Sequence, residues 1–284
     1  MNLKQLQYFI TVAQERQITS AAKRLYIAQP PLSYQLKQLE KELNTKLFNR
    51  TAYGIELTPQ GEIFKKYAEK MVNLSKNMQD DLEDNQSDKS GNIRLGLISS
   101  ACDLIPNEAF EKLTQFYPNV KFEIFEDNTL NTIDKLNNDL IDIAIVRTPF
   151  NKQGLDYKQL LAEKMVAVFD NENYPLNRKK LNLIDLADQP LILYRRFEAI
   201  FNDSFAHQGI TPFYSVKCDD ARTAVLWADR KMGIALVPQS IAQAYSKKQI
   251  VEIDHSSWNS QIELVWKKDI KIKPVVKRLI ESIN

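Results

Sequence analysis

Residues Ala28–Leu43 read AQPPLSYQLKQLEKEL, and this stretch decides how the rest of the chain is understood. Two prolines stand near its start and no glycine interrupts it. Leu32, Leu36, Leu39 and Leu43 step by four, three and four, which predicts a single apolar stripe on a helix. At about 100° per residue the opposite face carries Pro30, Tyr34, Lys37, Gln38 and Lys41. That face is polar and cationic, while Glu40 and Glu42 turn toward the leucines. An α-helix is about 10–12 Å wide with its side chains, a width that fits the major groove of duplex DNA. The stretch therefore reads as a recognition helix.

Upstream, Leu3, Leu6, Phe9, Ile10 and Ala13 mark one face of a first helix. A second helix, Ile18 to Tyr26, turns Ala21, Ala22 and Leu25 inward, and the two alanines let another helix approach closely. A short turn, Ile27 to Gln29, leads to Pro30 in a first helical turn, where the missing N–H costs nothing. Helix, tight turn and helix at this spacing form a helix-turn-helix. Downstream, Lys46 to Arg50 and Ile55 to Leu57 flank Tyr53-Gly54 as two short strands of a hairpin wing. Lys46 and Arg50 could there reach phosphate or the minor groove.

The distribution of charge agrees. The net charge of the 284 residues is only +2. From Met1 to Met78, however, twelve Lys/Arg stand against six Asp/Glu, and from Gln79 to Ser90 five acids stand against one lysine. A basic head and an acidic neck confine nucleic-acid contact to the N-terminal part.

The head resembles the DNA-binding domain of LysR-type transcriptional regulators. The matching residues are Leu6 and Phe9; Ala21, Ala22 and Leu25; Gln29-Pro30-Pro31-Leu32-Ser33; Gln35, Leu39 and Glu40; Leu47, Phe48 and Arg50; and Leu57-Thr58-Pro59 with Gly61. The family usually has Gly then Ser where this chain has Arg16 and Gln17, and often Ser in place of Ala28. Ser is a good helix cap; Gln and Ala are poor ones. Thr19 is the candidate cap for the second helix, and Gln29 or water for the third. The resemblance implies that Gln29, Pro30, Ser33 and Tyr34 face base edges and phosphates, and Pro31 beside them belongs to the same expected contact set. An amide can pair bidentately with adenine, and a proline ring can touch a thymine methyl. The family often has Arg where this chain has Tyr34, so base preference at that step is expected to differ. Lys37, Gln38, Lys41 and Arg50 complete the expected contact set, the lysines holding phosphates. Glu40 is assigned a structural salt bridge, with Arg50 as candidate partner.

Thr58 and Pro59 form a good helix start. Phe64, Tyr67, Met71, Leu74 and Met78 then recur at three and four, a heptad seam that fails at Asp81. A helix from Thr58 to about Asp84 is roughly 40 Å long and needs a partner for its seam. A second copy of the chain is the simplest. A homodimer, with assembly to a homotetramer expected, implies a two-part, imperfectly palindromic site on double-stranded DNA. The polar run Asp84 to Gly91 reads as a linker.

Beyond it, short apolar strands alternate with helices, which predicts an α/β body with mostly parallel sheets. Expected helices include Leu104–Phe116, Asn131–Asn138 and Phe197–His207. The body is similar to the effector-binding region of the same family, two Rossmann-like subdomains arranged like a periplasmic binding protein. The expected layout is 1–58 winged helix-turn-helix, 59–90 linker helix and hinge, and 91–284 effector-binding body. Subdomain one comprises 91–161 plus 266–284, and subdomain two 162–265. Such folds bind ligands beyond strand C-termini. Ser99 and Ser100 follow one strand, Thr129 opens a helix after the next, and Tyr194, Arg195 and Arg196 stand between strand and helix across from them. The resemblance implies that these residues line the effector cleft. Arg147, just past its strand, is a further candidate, although a salt bridge serves it equally well. Arginine grips carboxylates bidentately, so the expected effector is a small organic acid.

Catalysis finds little support. His207 and His255 lie outside any nucleophile motif, and neither a Walker loop nor GxGxxG is present. No cofactor or metal is expected. Asp219-Asp220 reads as a helix cap. Cys102 and Cys218 read as two reduced thiols of a cytoplasmic protein, with no signal-peptide core and no membrane span in the sequence. The alternative is a ligand-independent architectural DNA-binding protein with a vestigial solute-binding module.

Overall fold

Asn2 starts the first helix. Its side chain accepts the Gln5 N–H while the Gln5 side chain accepts the Asn2 N–H, a reciprocal cap for α1 (Leu3–Glu15). These features come from a computed structural model that describes residues 1–51, 54–84 and 90–283. It falls into two compact units: Met1–Asn92 with Asn119–Lys121 and Lys135–Ile141, and the remainder.

Helix α1 closes on Arg16 in the left-handed region, φ 55°. A non-glycine residue is strained there. Helix α2 (Ile18–Arg24) follows Gln17, which makes no side-chain cap, and Thr19 lies inside the helix. The expected Thr19 cap is therefore not formed. Helix α3 (Gln29–Glu42) starts after Ala28, again without a side-chain cap. Gln29 does not serve there either, since its amide donates to the Ser33 hydroxyl at 3.0 Å. Pro30 and Pro31 have no N–H, so this first turn has fewer donors to satisfy.

The leucine stripe behaves as expected. Leu32, Leu36 and Leu39 are buried with Phe9, Val12, Ala21 and Ala22, and Leu43 packs at the edge. Strands β1 (Phe48–Thr51) and β2 (Gly54–Leu57) form the antiparallel wing, in register from Phe48 opposite Leu57 to Thr51 opposite Gly54. Tyr53 at its turn and the side chain of Arg50 lie outside the described residues.

Helix α4 (Pro59–Asp84) runs for 26 residues. Thr58 Oγ accepts the Gly61 N–H at 2.9 Å and so caps it. Phe64 departs from the expected seam. Its ring packs edge-on against Phe9, 4.8 Å between centroids, as part of the head core. A three–four repeat does not distinguish a face turned to the head from one turned away. The exposed apolar stripe consists of Ile63, Tyr67, Met71, Leu74, Met78 and Leu82.

The second part of the chain continues with β3 (Ser90–Leu97), α5 (Glu108–Phe116), β4 (Asn119–Glu126), α6 (Thr129–Asn137), β5 (Ile143–Arg147), β6 (Leu155–Glu163) and β7 (Met165–Phe169). Next come β8 (Lys180–Leu181), β9 (Pro190–Tyr194), α7 (Glu198–His207), β10 (Phe213–Cys218), α8 (Ala221–Asp229) and β11 (Ile234–Pro238). The last elements are α9 (Gln239–Tyr245), β12 (Gln249–Ile253), β13 (Ser260–Lys267) and α10 (Pro274–Ser282). One sheet has the order β4-β3-β5-β13-β6 and the other β10-β9-β11-β7-β12-β8.

Three differences from the sequence reading have physical causes. The expected helix at Leu104 begins only at Glu108, after Pro106, where the Asn107 side chain accepts the Ala109 N–H at 3.1 Å. The sheets are mixed: β13 runs antiparallel to β5 and β6, and β7 antiparallel to β11 and β12. Strand β13 joins the first sheet from Ser260 onward, and β6 stays in it to Glu163. The chain thus leaves the first sheet after Glu163 rather than Leu161 and returns at Ser260 rather than Trp266.

Candidate DNA-binding face and ligand cleft

On α3 the residues opposite the leucine stripe face outward. Gln29, Pro30, Pro31, Lys37 and Lys41 are exposed, Tyr34 is 59% exposed, and Ser33 and Gln38 are half-buried. Burying Leu32, Leu36 and Leu39 turns this face outward, because positions two residues from the stripe lie about 160–200° around a helix. Lys46 is exposed beside it on the approach to the wing. Glu40 pairs with no described cation. Its Oε1 accepts the N–H groups of Leu47 at 2.7 Å and Phe48 at 3.1 Å. Glu42, read as turned toward the leucines, is exposed and meets the N-terminal ammonium of Met1.

In the second unit a cavity of about 590 Å³ is lined by Ser99, Asn128, Thr129, Tyr194, Arg196 and Asp219, among others. It gathers groups from the ends of β3, β4, β9 and β10. Asn128 caps α6, its side chain accepting the Asn131 N–H at 2.9 Å. Thr129 is buried, and its hydroxyl faces the backbone of Arg147 at 3.5 Å.

Four expected cleft residues reach the cavity: Ser99, Thr129, Tyr194 and Arg196. Three do not. Arg147 is fully buried and committed, with Nη1 donating to Glu163 at 2.6 Å and to Ser260 at 2.9 Å, and Nη2 donating to the Ser100 carbonyl at 3.0 Å. Its place in the cleft is corrected to an internal ion pair. Ser100 is buried behind the lining, within 3.3 Å of the Arg147 Nε. Arg195 points outward and pairs with Asp219 at 2.6 Å. That pairing holds the Arg195 guanidinium above its ordinary pKa, chiefly through the hydrogen bond from it to Asp219.

Arg196 differs from Arg147 and Arg195. One of its terminal nitrogens donates to the Arg147 carbonyl, and no carboxylate partners it among the described residues. Its Nε is buried without a hydrogen-bond partner. Burial pushes its pKa down, with Tyr194 and Arg147 as the smaller influences. A desolvated guanidinium with an open donor is the group that a carboxylate would satisfy. Burial likewise pushes the Tyr194 phenol up.

Sequence reasoning missed the clasp at the cavity mouth. Arg222 on α8 donates to Asp220 at 2.8 Å and to Glu126, at the end of β4, at 3.2 Å. Asp220 caps α8, as the sequence suggested, and also bonds Ser99. These partners lie 96 residues apart, which no local pattern encodes. Among the described residues no group of three His, Cys, Asp or Glu could hold a metal. None of the described helices is long and apolar enough to cross a membrane.

A helix-turn-helix head with an exposed cationic face, joined to a two-sheet α/β body with a ligand-sized cleft, defines a ligand-responsive DNA-binding regulator. Residues 3–62 match the bacterial regulatory helix-turn-helix protein, lysR family, and residues 86–284 match the LysR substrate binding domain. The chain belongs to the LysR family, whose members are transcriptional regulators, not enzymes, that bind DNA and small-molecule effectors and form oligomers.

Among similar proteins, the HTH-type transcriptional regulator BsdA of Bacillus subtilis is 29% identical over 278 residues, 95% of each chain. The regulator BenM of Acinetobacter baylyi is 29% identical over 255 residues, 84% of this chain and 81% of that one. Among solved structures, the LysR family regulator CbnR superposes with a TM-score of 0.76 at 22% identity, covering 100% of this chain and 98% of that one. CbnR has also been solved in complex with its target DNA, with a TM-score of 0.74 at 21% identity, covering 100% of this chain and 99% of that one.

Proposed function

We propose that this chain is a cytoplasmic regulator that reads a two-part, imperfectly palindromic DNA site as a dimer or tetramer and is tuned by a small organic acid. The head, 1–58, supplies the DNA contacts through Gln29, Pro30, Pro31, Ser33, Tyr34, Lys37, Gln38 and Lys41, with Arg50 from the wing. The connector, 59–90, pairs two copies through Tyr67, Met71, Leu74 and Met78, joined by Ile63 and Leu82. An exposed apolar stripe of this length on one helix supports that reading. The body, 91–284, holds the effector between its two sheets.

The observation that carries the effector class is Arg196, a half-buried cation lining the cavity whose Nε is buried and unfilled. Ser99 and the N-terminus of α6 stand around the same space, and a helix N-terminus favours an anion. Arg195 pairs with Asp219 and Arg222 bridges Glu126 and Asp220, which lessens their repulsion of an acid, while Asp127 also lines the cavity. A cavity of about 590 Å³ suits a small metabolite.

The test is a thermal-shift screen of organic acids on the full chain, followed by Arg196→Met. A stabilising acid whose effect vanishes in the variant supports the reading; a hit of equal strength in the variant removes Arg196 from it. Leu74→Glu should leave a monomer by sedimentation, and an unchanged oligomer would exclude the α4 stripe.

A further inference from the structure

We infer that Leu47 is the joint fixing the recognition helix to the pairing helix, and that Glu40 is a positioning residue setting the half-site spacing the protein accepts. The inference rests on the roles proposed above for α3 and α4.

Both peptide groups of Leu47 are held, each from a different side. Its N–H donates to the Glu40 carboxylate on α3 at 2.7 Å. Its carbonyl accepts the N–H of Thr58, the residue before α4, at 3.0 Å. The same Glu40 oxygen also takes the Phe48 N–H at 3.1 Å, where the wing begins. Thr58 then ties the other end: its hydroxyl donates to the Lys46 carbonyl at 2.8 Å and accepts the Gly61 N–H at 2.9 Å. The Leu47 side chain is 1% exposed in the head core.

The approach is so close that only glycine fits opposite. A Cβ on Gly61 would stand 2.2 Å from the Leu47 carbonyl oxygen. Three elements, α3, the wing and α4, thus converge on one residue. One carboxylate oxygen accepting two successive backbone N–H groups fixes the start of the wing to α3 at two points.

Stiffness here has a consequence for DNA. Two recognition helices carried by paired α4 helices must meet the same face of the duplex, which repeats about every 10–10.5 bp. If α3 is fixed to α4, a wrong spacer cannot be accommodated by swivelling the head. If the tie at Leu47 is cut, α3 and the wing shift against α4, which the head core still holds, and spacing is read more loosely. The leucine stripe and the outward face of α3 remain intact, so recognition of a single half-site persists.

The experiment uses the full chain and a target recovered by selection from random duplexes. Inserting about 5 bp, half a helical turn, between half-sites should weaken wild-type binding by about tenfold or more. Glu40→Ala should cut that penalty to about threefold or less, with single half-site affinity changed by less than about threefold. Glu40→Gln, which keeps an acceptor oxygen, should restore much of the penalty. Thr58→Ala keeps the backbone bond to the Leu47 carbonyl but removes the hydroxyl ties to the Lys46 carbonyl and the Gly61 N–H beside it; it should relax spacing in the same way, which covers the case of a Glu40→Ala chain that fails to fold. An undiminished spacing penalty in both alanine variants overturns the inference, as does equal loss on single and paired half-sites. Wild-type protein that binds single half-sites but shows no spacing penalty overturns the pairing role of α4 and this inference with it. Protein that binds no duplex DNA removes the reading of α3 instead.

Discussion

Arg147 Nη1 and Glu163 Oε1 stand 2.6 Å apart, with side chains 0% and 4% exposed. Glu163 also accepts the N–H of Ser240 at 2.7 Å and its hydroxyl at 3.1 Å, at the start of α9. The pair lies where the chain passes from the first sheet to the second, so it ties the two together at the crossing. Removing one buried partner strands the other charge. Arg147→Met should therefore destabilise the protein by about 3–5 kcal/mol in urea unfolding. The double variant Arg147→Met/Glu163→Met should lose clearly less than the sum of the single variants. Additive losses would mean that the pair is not coupled.

Arg16 holds φ 55° at the end of α1. Left-handed backbone costs a non-glycine residue roughly 1–2 kcal/mol, and glycine's extra chain entropy offsets part of the gain. Arg16→Gly should raise stability by about 0.5–1 kcal/mol. A lower thermal midpoint in the variant would contradict the strain.

Asp170 accepts a hydrogen bond from Lys248 at 2.7 Å, and that bond is the main cause of its lowered pKa. A depressed carboxylate contributes stability above its unfolded pKa, about 3.9, and loses it as pH falls through the folded value. The thermal advantage of wild type over Asp170→Asn should therefore be flat from about pH 5 to 8 and shrink below about pH 4. An advantage that persists unchanged at pH 3 would refute the linkage.

The outward face of α3 separates two kinds of contact. Gln29→Ala should relax base preference at one position per half-site, by about 1–3 kcal/mol of discrimination. Lys37→Ala should weaken all sequences alike and lower the salt slope by about one. A sequence-selective loss at Lys37, or an unchanged selection profile at Gln29, would reverse these roles.

What the sequence disclosed follows from range. The stripe Leu32, Leu36, Leu39 and the wing around Gly54 are local patterns, and their signals lie within a few residues. Strand β6 escaped notice because buried Leu155 and Glu163 bracket polar and half-exposed positions, leaving no apolar run. Arg147 was ambiguous because its partner Ser260 is 113 residues away. Phe64 was misassigned because periodicity gives a face but not what that face meets. Asp127 and Asn128 beside the cavity owe their placement to the α6 cap, which Asn128 alone makes legible only once the helix start is known.

Phe64, Ala68 and Val72 all pack into the head core, the last of them nearly four turns into α4. Over that length the connector is not a flexible tether but the shank of a key, turning with the bit that enters the groove. A rotation of α4 up to Val72 therefore carries the head core with it, and with it the face of α3 proposed to meet DNA.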